Sequence, residues 1–540
     1  MKYILKLTLS TLFIFVMAAG CDTDELHKVN LNPNAVNEIN MNYFFTAAEL
    51  GIASHGSQGD ATLFDWRTNV RVGIYAIQHA ASTGSYPGEK YFDSDMEALS
   101  LPYTLFYMDA LKRTAEILTQ TGEGGFMEGR LVNTREASRI IRVFEFHRLT
   151  DWFGSVPYSE ANKGLEGVFQ PKFDKQKDIY VDMLKELDEA CAGFNASDFD
   201  YAGFKAADFI FNGDIAKWKK FGYSLMLRLA MRVSNVDAAM ANTYVTKAVA
   251  GGTMASNDDN VWVGMALGPS EYTNQNGLSR TFYPGDGSQW ATAFLSSTLI
   301  DQLKGTDKAS TADDDPRLTI FTNGPMIWSA NNLGVFRDPN PLNWIGLPPG
   351  LNGADVNNIF GGGNPVNNYD IFCCVNPKMF QDDEPYQIMN AAESEFLKAE
   401  ALVRGIGSGI TGTAQSHYEA GVKLAMQLYV VYDASLVVTD EQVNTYLTQY
   451  PYNEATALEQ IGTQMWLSKY MMWIDLWSDW RRTGFPVLVP TNYPGNATGG
   501  TIPRKLLIPP LEAAGNPNYE SGATMPDRMT TRVWWDEGAE

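Results

Sequence analysis

An all-α architecture is predicted, built of helix pairs in one superhelical body with a large loop-rich face. Three observations predict it. Many separate segments repeat apolar residues at helical spacing. Two of them form a pair split by a glycine-rich break, Gly405-Ile-Gly407-Ser-Gly409. Residues 251–390 instead are crowded with turn signals such as Gly251-Gly252, Pro348-Pro349-Gly350 and Gly361-Gly362-Gly363. No strict 34-residue period is visible, so any repeats are divergent.

Taken in order, helices are expected over 41–54, 61–80 and 101–120. A fourth runs over 135–150, with Asn133 and Glu136 as a capping-box-like pair and Ile140, Ile141 and Phe144 inside. Over 179–191, Tyr180, Met183, Leu184, Leu187 and Cys191 share one face, with Asp182, Lys185 and Glu186 off it. Over 214–233, Asp214 caps, and Trp218, Gly222, Leu225, Met226 and Leu229 keep a three-four spacing. The pair lies at 391–404 and 413–430. A last helix is expected over 454–480, followed by a Pro/Gly/Asn-rich tail from 487 that wraps the surface.

The N-terminus reads as an address. Residues 1–20 combine Lys2 and Lys6, a short apolar run and small residues before Cys21. This is a lipoprotein signal peptide, too short for a membrane span. Cys21 becomes the acylated N-terminus, 21–40 a tether carrying Asp22, Asp24 and Glu25, and 41–540 the body. The helical scaffold covers about 41–250 and 391–487, and the ligand-binding part about 251–390. Losing Lys2 and Lys6 takes the formal net charge from −22 to −24. That acidity argues against nucleic acid and anionic lipid, which need basic patches.

No disulfide framework is expected. Neighbouring Cα atoms stand about 3.8 Å apart, below the usual disulfide range, so Cys373 and Cys374 read as free thiols. Catalytic signatures are absent: no P-loop, no G-x-S-x-G, no H-E-x-x-H. His147 reads as a packed histidine. Asn257-Asp258-Asp259-Asn260 and Asp313-Asp314-Asp315 are oxygen-rich but lack EF-hand spacing. No cofactor is expected beyond a structural calcium ion that such runs would offer.

Binding fits the composition better than catalysis. Aromatic residues make up 12% of the chain. Aromatic planes stack on the apolar face of a sugar ring, while amide, carboxylate and guanidinium groups bond its hydroxyls. The candidates are Trp66, Tyr86 and Tyr91 in one stretch, and Trp262, Tyr272, Asn274, Tyr283 and Trp328 in the loops.

Four stretches carry a family resemblance. They are Arg142 to Tyr158 (RVFEFHRLTDWFGSVPY), Trp218 to Arg232 (WKKFGYSLMLRLAMR), Ala392 to Ala401 (AESEFLKAEA) and Trp477 to Pro486 (WSDWRRTGFP). With the Cys21 signal, the chain resembles the SusD/RagB family of nutrient-binding lipoproteins, in its starch-binding branch associated with the outer membrane. The resemblance implies tetratricopeptide-like helix pairs and no enzyme activity. It implies a lipid-anchored protein on the extracellular side of the outer membrane. There it captures oligosaccharides for a SusC-like TonB-dependent transporter. Peptide capture is the alternative ligand class, and a surface glycosidase the alternative from another class. The four stretches read as architectural, with Arg481 and Arg482 expected to pair with Asp475 or Asp479. No ligand residue is carried over.

Overall fold

Helices dominate the computed structural model, which describes residues 40–54, 62–269, 273–282, 293–326, 336–360, 371–519 and 526–538. Two units separate, Met1–Tyr43 and Phe44–Glu540. Of the first, only residues 40–43 are described, at the start of helix α1 (Met41–Ser54). Cys21 and the signal segment lie outside the described residues, as do Tyr272, Tyr283 and Trp328.

The longer helices that follow are α2 (Met96–Met108), α3 (Ala110–Thr121), α4 (Val132–Phe153), α5 (Gln176–Gly193), α6 (Ile215–Arg232) and α7 (Ala238–Gly251). After the loop-rich region come α8 (Ala391–Arg404), α9 (Ala414–Met426), α10 (Asp440–Gln449), α11 (Ala457–Ser468) and α12 (Trp473–Thr483). Consecutive helices pack as tetratricopeptide-like pairs: α3 on α4, α4 on α5, α6 on α7 and α8 on α9. Two small antiparallel sheets punctuate the loops. β1 (Ala80–Ala81) pairs with β3 (Phe294–Leu295), and β2 (Val261–Val263) with β4 (Tyr386–Met389).

Local chemistry explains the well-placed ends. Asp214 accepts from the Ala216 and Lys217 amides and starts α6. Asn390 caps α8, and Gly405 ends it in the left-handed conformation at φ 66°. Other expectations are corrected. Asn133 sits inside α4, where its amide exchanges hydrogen bonds with the Asn195 backbone, while Glu136 pairs with Arg139. Residues 101–120 fall in two helices broken at Asp109. The 454–480 segment also breaks, between α11 and α12, where Met471 takes φ 80°. Within 61–80, Asp65–Ile74 forms a π-helix.

The four motif stretches meet inside the body as one ion network. Arg148 of α4 clasps Asp475 of α12 through Nε and Nη2, at 3.1 and 2.9 Å. Arg228 of α6 clasps Glu393 of α8 at 2.5 and 2.7 Å. Lys469 bonds Glu393 and Asp479, and Arg232 reaches Asp479 and Asp151. All these side chains are buried. Isolated, each charge would carry a desolvation penalty of several kcal/mol, so the groups persist only as a mutually compensating set. The nearby guanidinium and ammonium groups hold Asp475 down at about 2 and Asp479 lower still, against the upward push of burial.

Arg481 and Arg482 are architectural, but with other partners. Arg482 forks onto Glu400 of α8 at 2.5 and 2.6 Å. Arg481 donates to the Arg504 and Asp151 carbonyls and stacks on Trp477 and Trp535. The tail is also more than a surface wrap. Ile502, Leu506, Val533 and Trp535 are buried, and the Trp477 indole donates to the Pro503 carbonyl. His147 is buried beside Phe144 and Arg228. Cys191, Cys373 and Cys374 are buried.

Candidate ligand-binding cleft

The π-helix Asp65–Ile74 packs against α12 at Gly73, where a Cβ would stand 2.7 Å from the Ile474 nitrogen. The chain leaves this helix through Gln78, which takes the left-handed conformation at φ 55°. It then enters β1, opposite β3. Beyond β3, Ser297 bonds the extended 345–347 segment through the Leu347 carbonyl, 2.9 Å away. Pro349, Gly350 and Asn352 follow, and Asn352 Oδ1 accepts from the Ala354 and Asp355 amides at the start of helix Gly353–Phe360.

These segments and the 489–494 strap enclose a cleft of about 660 Å³. Its described lining includes Gln78, Thr298, Asn352, Asp355, Asn492 and Tyr493. It is rich in amide and hydroxyl groups and holds a single carboxylate, Asp355, among its described lining residues. That set suits a ligand with many hydroxyls and no net charge, because each group can donate or accept without a desolvated counter-charge.

A buried support lies below. Glu89 accepts from the Gly350 and Ser82 amides at 2.8 and 2.9 Å. Lys90 donates to the Ser82 carbonyl at 2.8 Å and sits over the Tyr493 ring. Glu89 and Lys90 are each about 1% exposed, and the charges stand 3.9 Å apart. Burial raises the Glu89 carboxyl and lowers the Lys90 ammonium, and each charge offsets the other's desolvation.

The sequence candidates fall in different settings. Trp66 and Tyr86 come together through Arg71, whose guanidinium lies 4.6 Å from the Trp66 ring centre and 5.4 Å from that of Tyr86. Arg67 also covers Trp66, at 3.7 Å, so part of that π surface is already in use. Tyr86 is half-buried and stacks on Tyr75 at 5.3 Å. Tyr91 is buried, and its hydroxyl accepts from the Thr491 amide, which places it under the cleft wall. Trp262, half-buried on β2, meets Tyr432 edge to face. The Asn274 carbonyl accepts from the Ala266 amide.

The groups that line the cleft were missed. They come from segments far apart in the chain with no local pattern. Their one signal was turn chemistry, Pro348-Pro349-Gly350 and the run Pro490 to Pro494 (PTNYP).

The acidic runs are engaged in loop structure. Asp259 accepts from Lys220 and the Ala255 and Ser256 amides. Asp313 accepts from the Thr306 and Asp307 amides, and Asp315 forks with Arg317. Among the described residues no group of three or more His, Cys, Asp or Glu side chains is arranged to hold a metal ion, and no helix is long and apolar enough to cross a membrane.

Comparison with known proteins converges on one family. Residues 33–509 match the family described as starch-binding associating with outer membrane. A solved chitin-binding protein is 30% identical, with a TM-score of 0.75 over 92% of this chain and 100% of its own. A SusD-like protein described as Bacteroidetes AC2a is 25% identical, with a TM-score of 0.76 and the same coverage. A chitin-binding SusD homolog from Flavobacterium johnsoniae, 23% identical, has a TM-score of 0.67 and shares the fold over 92% of this chain and 98% of its own. No curated protein sequence matches. The chain belongs to the SusD-like family of starch-binding proteins that associate with the outer membrane.

Proposed function

We propose that this protein is a lipoprotein, anchored through Cys21 on the extracellular side of the outer membrane. It captures neutral oligosaccharides and passes them to a SusC-like TonB-dependent transporter. The observation that carries the ligand class is the cleft of about 660 Å³, with its amide and hydroxyl lining and the aromatic ring of Tyr493 in its wall. A glycosidase needs two carboxyl groups facing the scissile bond, and the described lining offers only Asp355. The chitin-binding relative at 30% identity makes N-acetylglucosamine oligomers the first candidates. Starch oligomers follow from the family description.

Calorimetric titration of residues 22–540 with chitohexaose, maltohexaose and a cationic hexapeptide tests this reading. Saturable binding of a sugar, weakened at least tenfold by Asn352→Ala, is expected. Binding of the peptide alone would transfer the site to the peptide class.

A further inference from the structure

The 489–494 strap forms a wall of the cleft, yet it belongs to no helix or strand. A wall of irregular backbone must be held by side chains from elsewhere. Two side chains of the 74–97 segment, those of Gln78 and Tyr91, bond its backbone, while the Glu89 carbonyl accepts from the Thr491 hydroxyl and Lys90 lies over the Tyr493 ring. The Gln78 side chain donates through Nε2 to the Val489 carbonyl at 2.6 Å, and its Oε1 accepts from the Thr298 hydroxyl at 2.9 Å. The Tyr91 hydroxyl accepts from the Thr491 amide at 3.1 Å, and the Tyr91 carbonyl accepts from the Ala497 amide at 2.8 Å.

Both residues also hold unfavourable backbone. Gln78 stands at φ 55° and Tyr91 at φ 57°, the left-handed region that disfavours residues with a Cβ. A glycine would remove that cost at either place, but it would also remove the side chain that reaches the strap. Such strain persists only where surrounding contacts over-determine it, and it gathers at binding sites. Gln78 is 3% exposed and its backbone is fixed too, since the Ser296 hydroxyl donates to its carbonyl. One residue thus ties the end of the π-helix to both the 296–298 and the 489–494 sides of the cleft.

We infer that Gln78 and Tyr91 are positioning residues, which set the width of the cleft by pinning the strap rather than by touching ligand along their length. The inference rests on the reading of the cleft as the ligand site. The strap's order is measurable without any ligand.

Amide hydrogen exchange on the unliganded protein, followed by titration with chitohexaose and maltohexaose, tests it. Gln78→Ala should speed exchange at 489–492 and 297–299 by tenfold or more and leave α8 and α9 unchanged. Tyr91→Phe keeps the ring and should speed exchange at Thr491 alone. Each variant should weaken the sugar that the wild type binds by about tenfold. Unchanged exchange at the strap in both variants would overturn the inference, and so would faster exchange with unchanged affinity. If the wild type binds neither sugar, the cleft reading fails, and the exchange measurement still decides whether the two residues pin the strap. If Gln78→Ala fails to fold, Tyr91→Phe decides alone.

Discussion

Asp65, at the start of the π-helix, shows how a single residue ties stability to pH. It is fully buried, and its Oδ1 accepts from the Tyr386 hydroxyl at 2.7 Å and the Asn69 amide at 3.0 Å. Burial pushes its carboxyl up to about 7, while those two bonds and Arg148 pull the other way. In the unfolded chain the value returns to about 3.9. The folded value is the higher one, so the folded state holds the extra proton between about pH 4 and 7. The stability linked to Asp65 is then fully present below pH 4 and is lost as pH rises towards 7, by at most about 1.4 kcal/mol per pH unit. Asp65→Asn keeps an acceptor for both donors and removes the titration. Urea unfolding of both proteins from pH 4.5 to 8 should show the wild-type advantage shrinking until about pH 7 and then levelling. A constant difference across that range would mean that Asp65 is ionised in the fold. Nothing near Asp65 in sequence announced this, because its main partner, Tyr386, lies on β4. Arg481 and Arg482 were legible as architectural because they sit on an amphipathic helix just before Gly484. Their partners Glu400 and Arg504 were not, since the nearest acids in sequence are claimed by Arg148, Lys469 and Arg232.

Among the elements, helices read well where one face is apolar and the cap is local, as with α6 and α8. They read poorly where the backbone departs from the i to i+4 ladder, as in the π-helix and at Met471. The cleft read worst, because Gln78, Asn352 and Thr491 come from separate segments. Packing between elements also hides in single small residues. Gly222 of α6 faces α5, where an added Cβ would overlap the buried Cys191 Sγ and press on Ile140 at 3.1 Å. Alanine favours a helix interior over glycine by about 1 kcal/mol. Overpacking a tight contact costs about 1–3 kcal/mol, so the clash should win. Gly222→Ala is expected to lower unfolding free energy by about 1–2 kcal/mol, measured by urea denaturation. Adding Cys191→Ala opens the space and should restore part of that loss. If Gly222→Ala alone is stabilising, α5 and α6 are not in contact at that level.

At the scale of the whole molecule, the chain closes on itself through its last described residues. The family match ends at 509, but the core does not. Trp535 is fully buried against the guanidinium groups of Arg481, 4.7 Å from its ring centre, and Arg232, 5.1 Å away. Asp536 pairs with Arg504, whose backbone carbonyl in turn accepts from Arg481. The terminal turn therefore caps the ion network that joins α4, α6, α8 and α12. It also anchors the far end of the tail whose near part forms the cleft wall. Removing a buried tryptophan costs about 3–5 kcal/mol, and here it would also uncover two buried guanidinium groups. Trp535→Ala should lower the unfolding free energy by at least about 3 kcal/mol and depress the thermal midpoint. Leu511→Ala, on an 87% exposed side chain of the same tail, should change it by less than about 0.5 kcal/mol. Scanning calorimetry on the two variants separates the cases. Equal midpoints would mean that the tail merely covers the body. A large drop for Trp535→Ala alone would show that the scaffold is complete only when residues beyond the family's matched span are in place.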